Sequence, residues 1–193
     1  MAETYIDEII LKKKQEKKEE RLKQYIQQQE ALPEELFQTI RLGEDVAEIK
    51  LPIGLKPMPR ELIEKKYQFD PAPQIVMTNR NGDVNFTFSV LDIEIPEAEL
   101  FSGMEESMEG LRRYQPSIVF YDKGQKEIHG ITACWFSYMN NSLDGHKIYN
   151  VVLYAATKRT LMMTMNCRYE HHEKWDVVTQ LCMQSLTGKV CNE

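Results

Sequence analysis

The chain has 193 residues, 42% apolar and 28% charged, with a formal net charge of −6. That length suits one core-forming domain plus an extension, and the composition is that of a soluble globular protein. The negative balance argues against general affinity for nucleic acid, whose phosphates are met by Lys and Arg.

The first residues, Met1 to Glu8, are acidic, and the apolar run Ile9-Ile10-Leu11 is far too short for a signal peptide or a membrane span. A cytoplasmic protein is expected. Residues 6–31 read as a helix rich in Lys, Glu and Gln, with no Gly or Pro before Pro33. Apolar residues sit at its two ends (Ile6, Ile9, Ile10; Leu22, Tyr25, Ile26) with none between Leu11 and Leu22, so there is no coiled-coil seam. From Lys12 to Lys23 seven basic residues face three acidic ones, a local charge of +4. Two readings stand: a solvated helix, or a docking element for an acidic partner or an anionic lipid surface; the helix is also a candidate for contact with a second copy of the chain. The expected division is a charged helical extension over 1–31 and a domain over 32–193.

Leu32-Pro33-Glu34-Glu35 predicts a short helix ended by Gly43, and Val46 to Pro52 a strand. Arg60 to Lys66 predicts a helix, and Asp70-Pro71-Ala72-Pro73 a rigid link. Gln74 to Thr78 is a strand, Asn81-Gly82 a hairpin turn, and Val84 to Val90 an alternating strand. In it Val84, Phe86, Phe88 and Val90 point one way and Asn85, Thr87 and Ser89 the other. Ser102-Gly103-Met104-Glu105 reads as a capping box that starts a helix with the stripe Met104, Met108 and Leu111; Pro116 stops it. Ile118 to Tyr121 begins a strand with Lys123-Gly124 as its turn.

Ile128 to Met139, Lys147 to Ala155 and Thr160 to Cys167 are apolar at nearly every position, so both faces of these strands are expected to be buried. Their short connections imply antiparallel hairpins. The last helix is predicted to bury Trp175, Val178, Leu181 and Cys182, with Glu170, Glu173 and Asp176 near its N-terminus and Gly188 as its cap. The expected fold is α+β: a three-layer α/β/α sandwich with a central antiparallel meander sheet, plus the N-terminal charged helix.

Several segments carry a resemblance: Leu51-Pro52-Ile53-Gly54, Lys66-Tyr67 with Pro73-Gln74-Ile75, Asn85-Phe86-Thr87-Phe88, the Leu143-Asp144-Gly145 turn with Tyr149-Asn150, then Asn166-Cys167 and Trp175. In that order they resemble the Mog/PsbP-like superfamily, in particular a bacterial branch of small uncharacterised proteins, over roughly Glu48 to Leu186. Phe136-Ser137-Tyr138 matches the family's aromatic-Ser pair only approximately, and the N-terminal helix lies outside the common domain. Known members bind other proteins, one group in the Ran GTPase cycle and another as an extrinsic subunit of photosystem II. The resemblance implies a fold and a class, a binding module rather than an enzyme, and no particular partner.

Candidate chemistry is sparse. Cys134, Cys167, Cys182 and Cys191 show no zinc-type spacing and read as reduced thiols. His171 and His172 are adjacent, so on a helix they point about 100° apart and do not share a metal-binding face. There is no GxSxG, GxxxxGK[ST] or GxGxxG. No cofactor and no metal are expected. Asp144-Gly145 is turn chemistry. Asn150 is a polar amide in an apolar strand, expected to be buried and bonded, with Asn166 on the next strand as its partner, or else to line a pocket. The candidate binding residues are therefore Asp144, Tyr149, Asn150 and Asn166. The expected function is a non-enzymatic protein-binding or adaptor domain. The alternative is a small-molecule or metal-binding domain, or an enzyme, using a groove near Asp144, Tyr149 and Asn150.

Overall fold

A computed structural model describes residues 13, 37–43, 47–68, 71–142, 145–156 and 159–188. The chain divides into two units, Met1–Phe37 and Gln38–Glu193, and the sheets and helices of the fold belong to the second, with Phe37 at the boundary. Of the expected N-terminal helix over 6–31 only Lys13 is described, helical and exposed; the rest lies outside the described residues.

The elements are β1 (Phe37–Leu42), β2 (Ala47–Pro52), β3 (Lys56–Pro57), α1 (Arg60–Lys66), β4 (Ile75–Thr78) and β5 (Asn85–Leu91). Then come α2 (Leu100–Tyr114), β6 (Val119–Ile128), β7 (Ile131–Ser142), β8 (Gly145–Ala156), β9 (Arg159–Arg168), α3 (His172–Gln184) and β10 (Thr187–Gly188). The architecture is α+β. Seven strands form one sheet in the order β3-β4-β5-β9-β8-β7-β6, and β1-β2-β10 form a smaller one. Every adjacent pair in the large sheet is antiparallel. It is not the single meander expected. A three-strand meander (β3 to β5) and a four-strand meander (β6 to β9) meet at β5 and β9, because the chain leaves β5 through α2 and re-enters at the far edge.

The hairpins set which residues share a face. Phe86 and Phe88 align with Met165 and Met163 on β9, which align with Asn150 and Val152 on β8, and these with Ser137 and Trp135 on β7. This face meets α3: the Trp175 ring packs edge-on against Phe86 at 6.1 Å, and Asp176 reaches Asn150. The opposite face meets α2, whose Leu100, Met104 and Met108 pack on Cys134, Phe136, Val151 and Leu153. Covering both faces explains why β7 to β9 show so little apolar–polar alternation.

Several expectations are corrected. Phe37–Leu42 is a strand, not the end of a helix; the Gln38 amide donates to the Pro52 and Leu55 carbonyls, tying it to the β2–β3 turn. Asn85 and Thr87 point away from Phe86 and Phe88 as read, and both are buried on the α2 face. Ser102 is not an N-cap. A 3₁₀ turn over Glu97–Glu99 starts the helix earlier, the Ser102 hydroxyl donates to the Glu99 carbonyl, and Glu105 pairs with Lys123 at 2.6 Å.

Lys123-Gly124 is not a turn either. β6 runs straight through it, with a bulge between Phe120 and Asp122, and the turn is His129-Gly130. A Cβ at Gly124 would lie 2.9 Å from Trp135 Cε2 and closer still to Cζ2, so this glycine lets the indole lie across the strand. Gly188 is not a helix cap. α3 ends at Gln184, Ser185 bonds back to the Cys182 carbonyl, and Gly188 pairs with Ala47 in β10.

Candidate functional site

Tyr149 and Asn150 are consecutive residues of β8, so their side chains leave opposite faces of the sheet. They cannot line one groove. Asp144 lies outside the described residues; the chain re-enters at Gly145 with φ 106°, a backbone setting that favours glycine.

On the α2 face, Tyr149 stacks flat on Tyr138 at 4.9 Å and faces Asn166 across the β8–β9 pair. The Asn166 Oδ1 accepts from Asn85 Nδ2 at 3.0 Å, and Lys66 Nζ donates to Asn85 Oδ1 at 3.0 Å. Burial and the nearby Lys147 both hold the Lys66 ammonium below its ordinary value. Tyr67 is pushed up to about 12, chiefly by burial, with Asn166 pulling down and Tyr149 pushing up. Its hydroxyl is enclosed beside Asn166 without a well-formed hydrogen bond. Tyr138 and Tyr149 are raised for the same first reason, burial.

On the α3 face, Asn150 is 5% exposed. It accepts a short hydrogen bond from the Ser137 hydroxyl and donates from Nδ2 to Asp176 Oδ1 at 2.9 Å. The expected Asn150–Asn166 link is therefore wrong: each amide has a network of its own, on its own side of the sheet. Beside Ser137, Trp135 Nε1 donates to Asp122 Oδ2 at 3.3 Å. The Tyr121 hydroxyl is buried there without a partner, and burial first, then Asp176, drives its pKa up.

Neither network is arranged as a nucleophile with its base. The Ser137 proton is committed to an amide oxygen, and activation would need a basic acceptor in that place. His172 bonds through Nδ1 to the Tyr169 carbonyl, His146 to Asn141, and His129 to the Leu186 carbonyl. Among the described residues no three His, Cys, Asp or Glu side chains converge as a metal cluster.

Sequence reasoning missed Ser137, Asp176, Asn85, Lys66 and Tyr67 as members of these networks. The signal for Asp176 was present: it follows Trp175 at the start of a packed helix, where the helix dipole alone already accounted for an acid. It also missed an apolar corner. Tyr114 is 83% exposed and Val119 52%, on either side of a turn closed by Ile118 N–H to the Gln115 carbonyl. Tyr114 continues the Met108–Leu111 stripe, yet it ends the helix in solvent.

No protein-family model matches the chain, and no curated protein matches it significantly. Solved structures do. Cyanobacterial PsbP (CyanoP) from Synechocystis superposes with a TM-score of 0.56 at 11% identity, over 79% of this chain and 92% of that one. LpqN of Mycobacterium tuberculosis, described as involved in cell envelope biogenesis, gives 0.54 at 10% identity, over 78% and 89%. The chain has a PsbP-like fold, and at these identities the likeness concerns the fold alone.

Proposed function

We propose that this is a non-catalytic binding domain whose ligand is another protein. The observation that carries the reading is the Tyr114–Val119 corner. Two large apolar side chains stand in water on a turn held by the Ile118 bond and by Gln115 Nε2 to Asn140 Oδ1 at 2.6 Å. An exposed aromatic with a second exposed apolar residue across a hydrogen-bonded turn is the kind of feature protein interfaces use as an anchor. Asn150 and Asn166, two of the polar residues that suggested a binding site, are hydrogen-bonded in internal networks instead, which favours this reading over a small-molecule or metal site. The finer architecture, a three-layer α/β/α sandwich carrying a charged N-terminal helix, belongs to the same proposal. So does a cytoplasmic setting, supported by three buried free thiols, Cys134, Cys167 and Cys182. No described helix is long and apolar enough to cross a membrane.

The test is site-specific photocrosslinking in the host cell. A benzophenone amino acid in place of Tyr114 should give one discrete protein adduct, lost when Val119→Lys is added. Labelling no stronger than from the exposed control position Glu61 would refute the reading.

A further inference from the structure

The large sheet ends, among the described residues, in two unlike edges. β3 is two residues long and one of them is Pro57, a blunt edge that resists pairing. β6 is ten residues long, and Gln125, Lys126 and Glu127 on it are exposed.

Which backbone groups of β6 face outward follows from its hairpin. His129 and Gly130 both have positive φ, 49° and 76°, and Ile128 lies directly opposite Ile131 across this two-residue turn. Such type I′ hairpins close on a pair that exchanges both N–H···O bonds. Every second residue before Ile128 repeats that setting, so Lys126 and Gly124 bond inward to β7. Gln125 and Glu127 turn their N–H and C=O groups outward, in the same phase as Lys123.

The bulge between Phe120 and Asp122 bounds the regular part of the edge at Asp122–Ile128, whose midpoint is Gln125. The charges within it are self-complementary about that midpoint. A two-fold axis at Gln125 sets Lys123 opposite Glu127 of a second copy, twice, with Gly124 opposite Lys126. A shift of one residue toward the bulge sets Lys123 against Lys126 and Asp122 against Glu127, like against like; a shift the other way leaves Lys123 opposite Ile128; and either shift opposes outward groups to inward ones. Charged edges usually repel each other. Here both signs are present, spaced so that one antiparallel register is attractive and its neighbour is not. Lys123, already 2.6 Å from Glu105, would then lie between two carboxylates.

We propose that β6 is a homotypic edge: two copies of the chain pair antiparallel through Asp122–Ile128 about an axis at Gln125, joining their seven-stranded sheets. The paired segment begins three residues after Val119 on the same strand, but its test reads Gln125 and Glu127 rather than Tyr114 or Val119, so failure of either proposal leaves the other standing.

The test uses the full-length protein. Sedimentation velocity across a concentration series should show a reversible dimer. Hydrogen exchange should show the Gln125 and Glu127 amides becoming protected as it forms, with Gly124 and Lys126 protected throughout. Gln125→Pro removes an outward donor and no inward bond, which an edge strand accepts, so it should abolish the dimer. Should that variant not fold, Glu127→Lys leaves the backbone untouched and should weaken dimerisation about tenfold. A monomer at every concentration would overturn the proposal. So would a dimer whose Gln125 amide stays unprotected, or one that Glu127→Lys does not weaken.

Discussion

Replacing Asn150 by Leu isolates the network on the α3 face. The substitution keeps the volume and removes both polar arms of a side chain that is 5% exposed. The Ser137 hydroxyl, 1% exposed, loses its acceptor, which costs about 1–3 kcal/mol for an unsatisfied buried group. Asp176 loses a charge-assisted bond, but it is only half-buried and keeps other interactions, so its share is about 1 kcal/mol. The leucine returns a fraction through apolar burial. The expected net loss is about 2–3 kcal/mol, or about 4–12 °C in Tm for a chain of this size. Urea unfolding followed by tryptophan fluorescence measures it. A second arm makes the cause visible: Ser137→Ala in the Asn150→Leu background removes the orphaned hydroxyl, so the double variant should be at least about 0.5 kcal/mol more stable than additivity allows. A loss below about 0.5 kcal/mol for Asn150→Leu, or strict additivity, would refute the reasoning.

Gly124→Val should destabilise by about 2–3 kcal/mol, because its Cβ enters the space of the Trp135 ring, and should shift tryptophan emission as the indole leaves Asp122; wild-type stability and emission would contradict this packing. Stability should also fall at high pH. The hydroxyls of Tyr67, Tyr138, Tyr149 and Tyr154 titrate above their ordinary value of 10 in the folded chain. Their contribution is complete below pH 10 and is lost as pH rises from there through about 12, where Tyr67 ionises. Urea midpoints at pH 8, 10 and 11 should therefore decline, and decline less in Tyr154→Phe, which removes a fully buried, unpaired hydroxyl. A flat profile would count against the burial of these hydroxyls.

Much of the fold was legible because local and tertiary signals agree. Arg60–Lys66 forms the helix read from it, and the Asn81-Gly82 turn has Gly82 at φ 73° between the two strands expected. What was not legible depends on long-range packing. Phe37–Leu42 has no strong alternation and becomes a strand only because β2 and the Gln38 amide contacts hold it. Lys123-Gly124 looks like a turn until Trp135, its cross-strand partner in β7, is seen to cover the glycine, while His129, a non-glycine at φ 49°, hides the real one. At the candidate site the parity of Tyr149 and Asn150 was readable. Which of them shares a face with Asn166 needed the β8–β9 register, which sets Tyr149, not Asn150, opposite it.

The seam between β5 and β9 has a consequence for how this chain is made. Asn85 and Asn166, bonded across it, are 81 residues apart, and the Lys50–Ser185 contact that fastens the small sheet spans 135. As the polypeptide leaves the ribosome, β5 emerges with Phe86, Phe88 and Val90 along a strand that has β4 on one side but whose other neighbour, β9, does not yet exist. The hairpins from β6 to β9 form quickly among themselves, while closing the seam must await the synthesis of β9 and bear the entropy of a long loop. The vulnerable species is thus a nascent chain stalled before β9: an apolar strand with an open edge, prone to misassociation unless a chaperone or a short delay shelters it.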